Sequence, residues 1–398
     1  MKPLRMFPLE SYNRIMRLSL SAHCALKRLE EPSVYDLVSD ELYELDEEAF
    51  EFLRTCASKS GAEAERNDLI DYCLDEGILT DKAVSSRRAE VIPSPSPSPT
   101  PSLRYLELQI TRRCNLNCRH CYLGPSRNTD LSYEDIKRVL EEFESMQGLR
   151  VLVTGGEPIL HPEFERINEL LGSFRLRSIL FTNGFSVPDE TLKNLKVHEI
   201  QISIDGLEAA HDSLRGKGSF RRAVDTLKRA QAKGFEVSVS TMVHTGNLRD
   251  FDEMDSMFRD LGIRDWTVDI PCVEGNLAEN RNFYLSPEDS GKLLEYGFGE
   301  GLHGGGTGYS CGHHLMSVTA EGKCAKCAFY EDTPVGDIRE GLYDSWMKVE
   351  QIPLLELECD CDVLDLCRGG CRYRAQQMSK DLSMKAKDLY RCVLYGKI

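Results

Sequence analysis

The sequence predicts an α/β protein: a partial barrel of the (β/α)6 kind, set between a small N-terminal α+β domain and a C-terminal cysteine-rich domain. Three observations lead to that expectation. Strand-like runs alternate with helical segments six times between residues 105 and 270, the pattern of a parallel sheet with crossover helices. An alternating Pro and Ser/Thr tract at 93–101 separates this region from what precedes it. Cysteines crowd into the stretch beyond Ser310. With 398 residues the chain has room for two to four domains of roughly 100–200 residues each. A doubly wound open sheet is the alternative for the central region.

The first domain is expected over residues 1–92. Its start is broken by Pro3 and Pro8 and lacks the apolar run of a secretion signal. Ser33 to Val38 and Glu41 to Leu45 read as short strands joined at Ser39-Asp40. Asp46 stands as a helix N-cap before Ala49, Phe50, Leu53 and Cys56, which recur at helical spacing. A second helix from about Arg66 to Glu76 turns Leu69, Ile70, Cys73 and Leu74 inward and stops at Gly77. Cys56 and Cys73 therefore read as buried small hydrophobes. Residues 93–102 follow as a semi-rigid spacer, because prolines favour extended geometry and donate no backbone hydrogen bond.

The barrel is expected over 103–300. Its strands read at about Tyr105 to Ile110, Arg150 to Val153, Ser178 to Thr182, Glu199 to Ile204, Glu236 to Val243 and Asp265 to Ile270. From 301 to 398 the periodicity fades. Residues between the cysteines there are often Gly or charged and bury little, so metal cross-links are expected to hold the shape.

Composition narrows the function. A formal charge of −16 excludes a protein that binds nucleic acid chiefly by phosphate neutralisation, and it disfavours an anionic membrane surface. No apolar run reaches the ~18 residues of a membrane span. The chain is expected in the cytoplasm, where thiols stay reduced, so its fifteen cysteines point to metal binding or chemistry rather than disulfides.

The strongest local signal is Cys114-Asn115-Leu116-Asn117-Cys118-Arg119-His120-Cys121, directly after the first strand. Three thiolates on one short loop suit one face of an iron-sulfur cluster and leave one iron open. Zinc bound by these thiols and His120 is the alternative. Three further elements follow later strands. Thr154-Gly155-Gly156-Glu157-Pro158 lets a ligand approach the backbone, with Glu157 an acceptor for an ammonium group. Thr182-Asn183-Gly184 and Ser203-Ile204-Asp205-Gly206 read singly as turns, but together they occupy the carboxyl ends of parallel strands, where barrels keep ligands. Arg215, in Leu214-Arg215-Gly216-Lys217-Gly218-Ser219-Phe220, is either a ligand contact or a solvated loop arginine. Cys272 lies beyond the sixth strand and is read as a plain thiol, a hydrogen-atom donor to a substrate radical, or a cluster ligand.

The cysteine loop and the three later elements resemble the radical S-adenosylmethionine (SAM) superfamily, with His120 in place of the usual aromatic residue. That resemblance implies a four-iron cluster on Cys114, Cys118 and Cys121 whose open iron chelates SAM. Contacts to SAM are implied at Gly155, Gly156, Glu157, Asn183, Ser203, Asp205 and Arg215. In the family's mechanism an electron passes to the SAM sulfonium, and the resulting 5'-deoxyadenosyl radical abstracts a hydrogen atom from an unactivated carbon.

The C-terminus resembles the SPASM domain of such enzymes, through Cys311, Gly322 and Cys327 and then Cys359, Cys361, Cys367, Cys371 and Cys392. Cys359-Asp360-Cys361 departs from the usual two-residue spacing, which puts the local ligand geometry in doubt. The resemblance implies two auxiliary four-iron clusters, making three in all. One would use Cys311, Cys327 and Cys371 with Cys324 as fourth ligand, the other Cys359, Cys361, Cys367 and Cys392.

The hairpin and Leu45-Asp46-Glu47-Glu48-Ala49-Phe50-Glu51-Phe52-Leu53 resemble the PqqD-like, winged-helix-like peptide-recognition domain. The implied partners are a precursor peptide with a leader segment and an electron donor such as flavodoxin or ferredoxin, with no nucleic acid and no membrane. The implied function is modification of a ribosomally made peptide, as by a thioether or carbon-carbon cross-link. Protein-residue oxidation, peptide epimerisation through Cys272, tetrapyrrole modification and non-catalytic electron carriage are the alternatives.

Overall fold

The computed structural model describes residues 15–82, 97–299 and 306–398. Two compact units divide between Ser102 and Leu103.

In the first unit, β1 (Ile15–Leu20), β2 (Cys24–Arg28), β3 (Pro32–Asp36), β4 (Leu42–Glu44), α1 (Glu47–Cys56), β5 (Ala62–Glu65), α2 (Asp68–Asp75) and β6 (Leu79–Thr80) follow in order. They build two antiparallel sheets, β5-β1-β6 and β2-β3-β4. The expected hairpin is β3-β4, and Asp46 caps α1 by accepting from Ala49 N at 2.7 Å. Asn67 caps α2 in the same way, accepting from Ile70 N, so this helix starts later than expected. The sequence reading missed β1 and β2. Their buried residues, such as Leu18 and Leu26, gain a core only when α1 and α2 close over them with Phe50, Leu53, Cys56, Ile70 and Cys73. Residues 93–96 of the proline tract lie outside the described residues. Its end is anchored rather than free: Ser98 N donates to Arg28 O, and Ser102 donates through N and Oγ to the two carboxylate oxygens of Glu30.

The second unit contains all six expected parallel strands: β7 (Tyr105–Thr111), β8 (Arg150–Gly155), β9 (Arg177–Thr182), β10 (Glu199–Ser203), β11 (Glu236–Met242) and β12 (Trp266–Asp269). Each pairs in parallel with the next. Helices α3 (Tyr133–Ser145), α4 (Phe164–Leu171), α5 (Asp189–Asn194), α6 (Glu208–Arg215), α7 (Ser219–Ala232) and α8 (Phe251–Asp260) connect them. Strand alternation sorts the side chains. Leu106, Leu108, Val151, Val153, Ile200, Ile202, Val237 and Val239 pack in the apolar core with the helices. The alternate positions, Glu107, Leu152, Thr154, Gln201, Ser203 and Ser240, line a central chamber.

The sheet does not stop at the expected domain boundary near residue 300. β13 (Leu315–Val318) adds to β7 in parallel, and β14 (Lys323–Ala325) and β15 (Gly336–Asp337) extend it antiparallel. The nine strands run β12-β11-β10-β9-β8-β7-β13-β14-β15, an open partial barrel. Strands this short leave little alternation in a sequence, so the C-terminal ones went unread.

Candidate functional site

A chamber of 310 Å³ opens at the carboxyl ends of β7 to β12, where a parallel barrel presents its loops. Cys114, Cys118 and Cys121 line it, on the loop leaving β7. Burial pushes the thiols up, Cys118 to about 12, while Arg215 nearby works in the opposite direction. Donors converge on the sulfurs: Asn183 Nδ2 lies 3.8 Å from Cys114 Sγ, and Arg215 Nη1 lies 4.0 Å from Cys118 Sγ. Three thiols, one buried and two half-buried, with N–H donors behind two of them, fit the open face of an iron-sulfur cluster. His120 lines the same chamber. Burial pushes its imidazole down to about 3, and its Nδ1 is buried without a hydrogen-bond partner.

Gly155, Gly156, Asn183, Ser203 and Arg215 also line the chamber. The backbone at Gly156 closes against the cysteine loop. Its N donates to Thr111 O at 2.8 Å, Glu157 N donates to Arg113 O at 2.7 Å, and a Cβ at Gly156 would meet Arg113 O at 2.4 Å.

Glu157 and Asp205 are buried behind residues that line the chamber. Thr182 Oγ1 and Asn183 N donate to the two oxygens of Glu157 at 2.9 and 2.8 Å, so this carboxylate clamps the turn after β9. Burial pushes it up to about 7, against the hydrogen bonds from Asn183 and Thr182. Asp205 is fully buried and pairs with the Arg215 guanidinium. Burial alone would raise its pKa, but Arg215 and His120 beside it hold it well below the usual carboxylate range. His244 Nε2 lies 2.9 Å from Asp205 O, and Asp205 N donates to His211 Nδ1 at 3.0 Å. Asp205 is thus the hub that aims Arg215 at the cysteine loop.

All fifteen cysteines are free thiols. Cys359, Cys361, Cys367 and Cys392 are electrostatic neighbours, despite the one-residue spacing in Cys359-Asp360-Cys361. Cys311, Cys327 and Cys371 form a second group. The structure separates Cys324 from that group, correcting its expected place there. On β14 its side chain points into the apolar core and hydrogen bonds with Ser345, whereas Cys327 lies beyond the strand's end. Cys272 instead lies in hydrogen-bond contact with Cys371 and lines the chamber together with Ala328 and Phe329.

Sequence reasoning missed Glu107, Thr267, Asp269 and Asn276. The first three were legible as polar residues at inward strand positions. Asn276 carries no such signal.

A partial parallel barrel carries three thiols at its carboxyl mouth, backed by an arginine and a glycine-rich turn, an arrangement suited to an iron-sulfur cluster with one open face. Residues 108–259 match the model of the radical SAM superfamily.

It is similar to the subtilosin biosynthesis protein AlbA of Bacillus subtilis, at 32% identity over 164 residues covering 39% of this chain and 37% of that one. It is also similar to the AdoMet-dependent heme synthase of Methanosarcina barkeri, at 28% identity over 204 residues, or 48% and 57% of the two chains. These matches span well under two thirds of the relatives. In fold it is similar to Streptococcus suis SuiB, solved bound to precursor peptide SuiA, with a TM-score of 0.66 at 14% identity over 94% of this chain and 99% of that one.

Proposed function

We propose that this protein reductively cleaves SAM and modifies a ribosomally made precursor peptide, forming a cross-link to an unactivated carbon. The observation that carries the reading is a single chamber lined both by Cys114, Cys118 and Cys121 and, across it, by Cys272 and the residues after Cys327. A substrate held there lies between one thiol set suited to starting a radical and another suited to taking up an electron. AlbA by its name, and SuiB by its bound peptide, bring the peptide class into the proposal.

When bound, a four-iron cluster with SAM supplies the radical that abstracts hydrogen. This chain's residues would do the rest. Cys114, Cys118 and Cys121 hold the cluster. Arg215, aimed by Asp205, offers positive charge at its edge. The backbone at Gly155 and Gly156 admits the ligand closely. Glu157 keeps the Asn183 turn in place. Apolar Leu152, Phe181 and Phe329 exclude water from the chamber.

Two auxiliary clusters belong to the same reading, one on Cys359, Cys361, Cys367 and Cys392, the other on the group containing Cys311, Cys327 and Cys371. They would return the electron left by bond formation to a flavodoxin- or ferredoxin-like donor system. The N-terminal unit, with its edge strands β4 and β5, would bind the leader by strand addition.

The test is anaerobic reconstitution of the full chain with dithionite, SAM and a candidate precursor peptide taken from a short reading frame near its gene. We expect 5'-deoxyadenosine and a peptide mass lowered by about two hydrogens, as a cross-link requires. Absence of 5'-deoxyadenosine would overturn radical SAM activity. The similarity to the heme synthase favours a second reading, tetrapyrrole modification. Turnover of an iron porphyrin and not of the peptide would select it.

A further inference from the structure

The segment from Cys272 to Asn276 touches two thiol sets at once. At its start, Cys272 is 5% exposed and lies in hydrogen-bond contact with Cys371, in a packed cluster with Cys327 and Tyr373. Two residues later, Glu274 Oε1 accepts from Tyr373 OH at 2.6 Å, which ties the segment to the helix Arg372–Met378 that begins just after Cys371.

Its other end grips the catalytic loop. Gly275 has φ +50°, and a Cβ there would meet both Cys121 O and Tyr122 O at 2.4 Å, so a side chain would push the two segments apart. Asn276 N donates to Cys121 O at 2.9 Å. Asn276 Nδ2 donates to Cys118 O at 2.9 Å and to Asn117 Oδ1 at 3.0 Å. Two of the three catalytic cysteines thus have their carbonyls fixed by one asparagine. A strap five residues long leaves little slack between the groups it joins.

We propose that residues 272–276 are a strap tying the auxiliary thiols to the catalytic loop, with Cys272 the fourth thiolate beside Cys311, Cys327 and Cys371, and Asn276 the positioning residue for the loop. The proposal rests on the reading that these thiols hold iron-sulfur clusters. It also accounts for Cys324, which has no path to the auxiliary group from the apolar core. Cys272 then closes the auxiliary set as a ligand and is not a hydrogen-atom donor.

The experiment uses the full chain, anaerobically reconstituted, with iron and sulfide analysis, circular dichroism, and electron paramagnetic resonance of the reduced protein with and without SAM. Wild type is expected to hold about twelve irons, four for each of three clusters. C324A should match it in iron content and spectrum. C272A and C272S should lose up to about four irons and the corresponding auxiliary signal while keeping their fold. N276A should retain its iron, but its SAM-dependent spectral change should shift or vanish, and 5'-deoxyadenosine formation should fall about tenfold or more.

Unchanged iron and spectra in C272A and C272S beside a twelve-iron wild type would overturn the ligand assignment, as would loss of the auxiliary signal in C324A. An N276A spectrum identical to wild type with SAM would overturn the positioning role. A wild type holding only about four irons would overturn the auxiliary-cluster reading itself and the Cys272 assignment with it.

Discussion

The three catalytic thiols lie within one loop between Cys114 and Cys121, whereas the auxiliary thiols are gathered from positions as far apart as Cys311 and Cys392. The short loop needs the fold only to aim it. Arg215 at the end of α6, Asn183 after β9 and the backbone of Gly156 and Glu157 after β8 do so. The auxiliary groups need the fold to exist at all, since nothing but tertiary structure brings Cys327 beside Cys371. A local motif thus survives as a recognisable string, while an assembled site can be misassigned by one member, as Cys324 was.

That contrast can be broken most sharply at the loop. Cys118→Ala should reduce 5'-deoxyadenosine formation to background, measured by chromatography after anaerobic incubation, and remove about four irons while the auxiliary signals persist. Loss of every cluster together would mean that the two regions do not assemble independently. On the auxiliary side, Cys359→Ala should remove one auxiliary signal and leave SAM cleavage without peptide within a few-fold of wild type.

A smaller effect is expected behind the loop. Asp205→Asn leaves the Arg215 guanidinium in place without its carboxylate partner and should cost about 3 kcal/mol in denaturant unfolding. Because Asp205 is held below the ordinary carboxylate value of 3.8, its contribution is complete above that pH and is lost as pH falls through its folded-state value. The variant should therefore show a flatter acid limb of stability against pH. The smallest effect is expected in the N-terminal unit. Cys56→Ala should cost about 1 kcal/mol of stability and leave iron content unchanged, because that thiol is 1% exposed among hydrophobes.

Much of the fold was legible. All six barrel strands follow from alternating apolar runs, because a strand buried between helices and a chamber must carry apolar residues on its helix face. α1 was legible from Asp46 and the helical spacing after it. β1 was not, since its register depends on β5 and β6, distant in sequence, and β2, though it pairs with the adjacent β3, shows no alternation of buried and exposed residues. Within the site, Cys114, Cys118, Cys121, Gly155, Gly156, Asn183, Ser203 and Arg215 were named from short motifs and do line one chamber. The contacts that Glu157 and Asp205 make with Asn183 and Arg215 were not legible, because they depend on which way a carboxylate turns.

By itself the sequence determined which residues carry chemistry, because thiol spacing and turn glycines are written into contiguous residues. It also determined the parallel sheet that displays them, through the period of its strands. Only the tertiary structure decided the groupings. Cys324 is carried into the core by the facing of a three-residue strand, and Cys272 is brought to Cys371 from the far edge of the barrel. Such choices depend on contacts between segments remote in sequence, and no local pattern encodes them.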